Sequence, residues 1–249
     1  MDLSTGDAIE LFHEREALPI VAGWSLDGSW ILSWNDIQFS SSVAADGLEL
    51  RATSFDGSTT STIASRVLVH PDFLSWCGDR LVIAAGAFRD VRSGKRLVSA
   101  SPPDWLASPL SQDPSRDWIW PSCSPDGRWV AATAAVPPPP QALFGRERRT
   151  IWLVASDGSD RHQLLNGSDT FANDFARWSR DGSSILFIRR TLSAVPTAAL
   201  FLATVDPSSG ALLDVRGPIA HLGPIARTYE SGYGYDAWSA ETDWFQPEA

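Results

Sequence analysis

The chain has 249 residues, 43% of them hydrophobic, and a formal net charge of -10. That is enough for one large all-β domain, or two small ones, with a substantial core. The acidic balance, with no segment that alternates Lys or Arg with stacking aromatics, excludes nucleic acid as a partner. No apolar run approaches the roughly 20 residues that a membrane span requires.

Taken in order, residues 1–12 read as a strand tail, the turn Ser4-Thr5-Gly6 and one more strand, the closing part of a repeat. This end is polar and charged, without a basic n-region or apolar h-region, so it carries no signal peptide. Residues 18–23 predict an apolar strand, followed by Ser25-Leu26-Asp27-Gly28, a strand over 29–34, another over 48–53, the turn Phe55-Asp56-Gly57-Ser58 and a strand over 59–64. A second, degenerate unit keeps Trp76 and shortens the turn to Gly78-Asp79, with strands over 73–77 and 80–85 and an outer pair over 87–91 and 96–99. Residues 101–115 are rich in Pro, Ser and Asp and predict a surface connection.

The third unit is the clearest. In Ser124-Pro125-Asp126-Gly127, Pro sets φ, Asp bonds the local backbone and Gly takes the positive φ, so one strand stops before it and another starts after it. Ser156-Asp157-Gly158-Ser159 lies between strands over 151–154 and 161–165 as a tight hairpin. The fourth unit has strands over 175–178, 184–188, 199–205 and 211–215, with turns at Ser179-Arg180-Asp181-Gly182 and Asp206-Pro207-Ser208-Ser209-Gly210. Residues 232–238 offer one further strand, and Ser239 N-caps a short closing helix over 239–245.

Equivalent positions Trp24, Trp76, Cys123, Trp178 and Trp238 recur about every 50 residues, a period of propellers rather than helical solenoids. Four-stranded twisted sheets with two partly apolar faces are stable when packed face to face around an axis. The expected fold is therefore an all-β propeller of four-stranded antiparallel blades. It forms one domain over 1–249, with units at 18–65, 72–99, 117–165 and 174–216 and remnants at 1–12 and 230–245. Either the two remnants pair as a composite fifth blade, or the chain is part of a larger ring. Trp24, Trp76 and Trp178 are expected to wedge between sheets. Cys77 and Cys123, in different repeats and facing the core, are expected as two buried thiols, ahead of a disulfide or a metal site.

The units beginning at Trp24, Ser124 and Trp178, each an Asp-Gly turn followed by an apolar strand, resemble the TolB-like, PD40-type propeller repeat. The pairing of Ile151-Trp152-Leu153-Val154 with Asp157-Gly158 fits its second half. The second unit departs from the pattern at its turn, and the third has Cys123 where the others have Trp. The resemblance implies a propeller that binds a partner protein or peptide at the tunnel mouth, in the periplasm or outside the cell. It equally implies the gating propeller of a prolyl-oligopeptidase-like enzyme.

For chemistry, the sequence contains no Gly-x-Ser-x-Gly elbow, no HExxH and no phosphate loop, so it predicts no catalytic, cofactor or metal residue. A tunnel glycosidase would draw its carboxylates from Asp36, Asp90 and Asp174. The candidate partner-binding residues are Asn35, Asp36, Phe144, Arg146, Arg148, Arg149, Arg189 and Arg190. They lie in or beside the connections that follow each unit's second strand, and so project from one face. The loop over 136–149, stiffened by four consecutive prolines and rich in Arg, suits an acidic partner. The alternative for that loop is a solvated insertion.

Overall fold

The computed structural model describes residues 18–36, 47–86, 95–111, 113, 115–136, 148–193, 195 and 197–224. Within them lie sixteen strands in four successive antiparallel meanders. The first is β1 (Leu18–Trp24), β2 (Trp30–Asp36), β3 (Leu48–Ser54) and β4 (Thr60–Val67). The second is β5 (Leu74–Cys77), β6 (Arg80–Ala85), β7 (Arg96–Ala100) and β8 (Ser108–Pro109), joined to the first by one bridge, Val67 to Ala85. The third is β9 (Asp117–Cys123), β10 (Trp129–Ala135), β11 (Arg149–Ala155) and β12 (Arg161–Leu165). The fourth is β13 (Phe171–Trp178), β14 (Ser184–Thr191), β15 (Thr197–Val205) and β16 (Leu212–Pro224).

Four hairpins, β1–β2, β3–β4, β9–β10 and β13–β14, close on a Ser-x-Asp-Gly turn, and its geometry explains the recurrence. In the third blade the Ser124 hydroxyl donates to Asp126 at 2.6 Å and accepts the Trp129 amide at 2.9 Å, while Asp126 accepts the Arg128 amide at 3.1 Å. Ser25 with Asp27 and Ser179 with Asp181 repeat the arrangement. Gly127 takes φ 73°, a left-handed value that a side chain would resist. Each turn therefore satisfies its own donors without help from the rest of the fold. These turns gather at one end of the blades. The connections between second and third strands, and those between blades, lie at the other.

Blades pack face to face. One apolar cluster runs from Trp30, Leu32 and Leu50 through Phe73, Leu81 and Ile83 to Trp118 and Val130; a second fills the contact between the third and fourth blades with Trp129, Leu153, Trp178 and Phe187. The innermost strands are also tied directly. Cys77 and Cys123 form a disulfide between β5 and β9, with Cα atoms 5.3 Å apart, and the Cys123 amide donates to the Ser75 hydroxyl at 3.0 Å. The expectation of two free thiols is therefore corrected. Their sequence separation of 46 is close to one repeat, which sets both at the same height on neighbouring inner strands. Between β9 and β13, Trp178 Nε1 donates to the Ser122 carbonyl at 3.1 Å.

Three further expectations change. Trp178 is buried between blades, but Trp24 is 55% exposed, because no described blade packs against the outer face of β1. Residues 96–100 form the third strand of the second blade rather than part of an outer pair, and the fourth strand is β8, inside the stretch expected to be a surface connection. That stretch is anchored by Trp105, which is 1% exposed and meets Trp30 and Trp76 edge-on at 5.6 and 6.2 Å. Its Pro, Ser and Asp content concealed one large core ring. The expected strand over 87–91, the composite blade and the closing helix lie outside the described residues.

Candidate functional site

The distinctive polar chemistry sits at the end of the blades opposite the Asp-Gly turns, and a bulge in the inner strand of the fourth blade builds it. In β13 the register with β14 shifts between Asp174 and Arg177: Trp178 pairs with Ile185, but Asp174 pairs with Ile188. In a regular strand Trp178 and Asp174 would share a face. The extra residue turns Asp174 to the face of Arg190 instead. Arg190 Nε then donates to Asp174 Oδ2 at 3.0 Å, and Arg149, arriving from β11, reaches Oδ1 at 3.5 Å.

The same bulge recurs in β9 between the partners of Ala131 and Thr133, and in β1 at Val21 and Gly23. Two bulge residues, Trp120 and Phe175, hold φ of 53° and 55°, a conformation that bulky side chains adopt at an energetic cost. Their rings stack on each other with centroids 3.8 Å apart, and the Arg149 guanidinium lies 5.0 Å above Trp120. Packing between adjacent inner strands thus holds both residues in place. Nearby, Gly167 must be glycine, because a Cβ there would lie 2.5 Å from the Arg149 carbonyl oxygen.

A second buried ion pair joins blades that are not neighbours. Asp72, in the connection entering the second blade, is 1% exposed and pairs with Arg177 of β13. His70 accepts the Asp72 amide through Nδ1 at 3.2 Å. Burial holds the Arg177 guanidinium below its usual range while the Asp72 charge opposes that shift.

Of the residues expected to form a docking rim, Phe144 and Arg146 lie outside the described residues. Arg148 is exposed and paired with Asp169; Arg149 and Arg189 are half-buried. Arg190, Asn35 and Asp36 are buried, so they shape the face from beneath rather than project from it. With its amide oxygen turned toward Arg51, Asn35 accepts from both terminal nitrogens at 3.1 and 3.2 Å. Of the three carboxylates weighed for glycoside cleavage, Asp90 lies outside the described residues, Asp174 is held by two guanidiniums and Asp36 ends β2 in another blade. Among the described residues no group of three or more His, Cys, Asp or Glu is arranged to hold a metal ion. Sequence reasoning missed Asp72, Asn173, Trp120 and Phe175 as site residues.

Radially packed four-stranded meanders define a β-propeller. No family model matches the chain, and none of the curated proteins does. Solved structures do share the fold. A TolB of Agrobacterium tumefaciens is similar at 17% identity and a TM-score of 0.54, over 81% of this chain and 64% of its own. A puromycin hydrolase gives 18% and 0.51, over 82% of this chain and 33% of its own. A structure described as a prolyl endopeptidase gives 13% and 0.50, over 86% and 30%. This chain therefore has the fold of a TolB-like β-propeller, and it spans under two thirds of the length of each of these proteins. Among the described residues no helix is long and apolar enough to cross a membrane.

Proposed function

We propose that the chain is a non-catalytic propeller module that binds a protein or peptide partner on the face of its long connections. The observation that carries this reading is the concentration there of Arg148, Arg149, Arg189 and Arg190 around Asn173 and Asp174. The opposite face consists of Asp-Gly turns whose carboxylates are consumed by local hydrogen bonds. Guanidiniums make bidentate contacts with carboxylates and steer acidic partners during encounter. Val136 and Val195, 62% and 70% exposed on the same face, add apolar contact area. The Cys77–Cys123 disulfide suits an oxidising compartment, which agrees with the periplasmic or extracellular setting implied by the TolB-like resemblance.

A second reading keeps the fold and changes the context. In it the propeller is an accessory or gating domain of a prolyl-oligopeptidase-like peptidase, and the likeness to about a third of a puromycin hydrolase supports it. Photocrosslinking separates the faces: benzoylphenylalanine placed at Val136, or at Phe55 in the β3–β4 turn, is irradiated in the native host. A discrete adduct from Val136 and none from Phe55 is expected. Adducts from Phe55 alone would overturn the assignment of the face, and a hydrolase as the adduct would favour the second reading.

A further inference from the structure

Arg189 is held differently from its neighbours. Arg148 pairs with Asp169, and Arg149 and Arg190 share Asp174. Arg189 instead lies among rings, its guanidinium carbon 4.5 Å from the centroids of Phe171 and Phe201 and 5.7 Å from that of Phe187. Phe187 and Phe201 are themselves stacked at 5.6 Å. Arg189 Nε donates to Asn173 Oδ1 at 2.9 Å, and Asn173, fully buried, is fixed by donating to the Asn166 carbonyl at 2.7 Å. Among the described residues no carboxylate lies within ion-pair distance of Arg189.

Such a holder restrains the guanidinium and occupies Nε of a half-buried residue, and among the described residues the edge bearing the two terminal nitrogens makes no hydrogen bond or ion pair. That edge is the fork that matches a carboxylate. A methionine would fill the same space between the rings without a charge to desolvate, so packing alone does not account for the arginine. Burial depresses the pKa of Arg189, and no acid offsets the shift as Asp72 does for Arg177. Arg148 is matched with Asp169, and Arg149 and Arg190 divide Asp174 between them, so Arg189 is the one guanidinium of the four without a carboxylate partner among the described residues. One fork receives one carboxylate through two parallel hydrogen bonds.

We propose that Arg189, set by Asn173 and the cage of Phe171, Phe187 and Phe201, is the anchor that receives an Asp or Glu carboxylate of an acidic peptide partner. The proposal rests on the reading of this face as the docking surface. The probe is a fluorescein-labelled tetraglutamate peptide with Gly flanks, compared by anisotropy with its tetraglutamine and phosphoserine counterparts. Wild-type protein is expected to bind tetraglutamate more weakly as salt rises and to leave tetraglutamine unbound. Arg189→Met, which keeps the cage filled, is expected to weaken tetraglutamate binding at least about tenfold, as loss of a charge-assisted pair does. Arg189→Lys, which keeps the charge and loses the fork, should fall between. Arg180→Gln, exposed on the turn face, should bind as wild type does. The melting temperature of Arg189→Met should stay within a few degrees of wild type, which separates loss of the anchor from loss of the fold. Undiminished binding by Arg189→Met would remove the anchor and leave the docking face standing. No binding by wild-type protein would remove both, and Arg189-dependent binding of the phosphoserine peptide alone would remove the carboxylate assignment.

Discussion

Reduction of the Cys77–Cys123 bond tests how the inner strands are held together. The bond closes a loop of 46 residues between β5 and β9, and the chain-entropy relation gives about 4 kcal/mol of stabilisation for a loop of that size. For a domain of about 250 residues that corresponds to a fall in melting temperature on the order of 10 °C. Cys77 is 4% exposed and lies in the apolar cluster that joins the first three blades, so two reduced thiols remain packed and only the cross-link is lost. Tryptophan fluorescence melts with and without a phosphine reductant read the difference directly, since Trp76 and Trp120 lie on the two linked strands. A Cys77→Ala, Cys123→Ala double variant should melt near the reduced wild type and stop responding to reductant. Intact-mass measurement after alkylation under denaturing, non-reducing conditions should show neither thiol labelled. Two labelled cysteines, or a melt indifferent to reductant with the bond present, would refute the account of a covalent tie between blades.

Two further outcomes follow from the polar contacts. Asp72→Asn removes the buried charge that faces Arg177, and it should cost about 3 kcal/mol, the lower end for a broken buried pair because Arg177 keeps some access to solvent; urea unfolding measures it, and a loss under 1 kcal/mol would show that the tie between nonadjacent blades is idle. Hydrogen bonds from Ser54, and then from Ser58, hold the Asp56 carboxyl down at about 2 against an ordinary 3.8. A depressed folded pKa contributes stability that is fully present above the ordinary value and is lost as pH falls through about 2. Ser54→Ala should move the Asp56 titration up toward 3.8, as followed by carboxyl carbon NMR, and should raise the pH at which the turn loosens. An unmoved titration would contradict the assigned cause.

How much of this was legible in the sequence depends on how local each cause is. The Ser-x-Asp-Gly turns are complete within about six residues, every donor and acceptor coming from the turn itself, so strand ends at Ser25, Ser124 and Ser179 could be placed from composition alone. The disulfide was within reach of the same repeat argument. Two cysteines one period apart fall on the same rung of adjacent inner strands, but the pairing emerges only once the period is used to align blades rather than to count them. Trp105 was hidden for the opposite reason. Its neighbours Pro102, Pro103 and Asp104 describe a surface turn correctly, while the ring itself is buried by Trp30 and Trp76, from strands that the local composition says nothing about.

The bulges set the limit for the candidate site. Asp174 and Trp178 are four residues apart, and alternation alone puts both on the face toward the third blade, where a carboxylate would meet Leu153 and Phe187 without a partner. One extra residue at Phe175 and Ala176 reverses that parity and delivers Asp174 to Arg190 and Arg149. No residue type in Phe171–Trp178 announces the insertion, since Phe175 holds its left-handed φ through stacking on Trp120 of the preceding blade rather than through any preference of its own. The ion pairs beneath the proposed docking face are therefore a property of two blades in contact. The same dependence explains why Arg189 and Arg190, adjacent in sequence and equally charged, end in different environments. Alternation sends Arg190 to the Asp174 side of the sheet and Arg189 to the Phe187 side, where rings take the place of acids around the guanidinium.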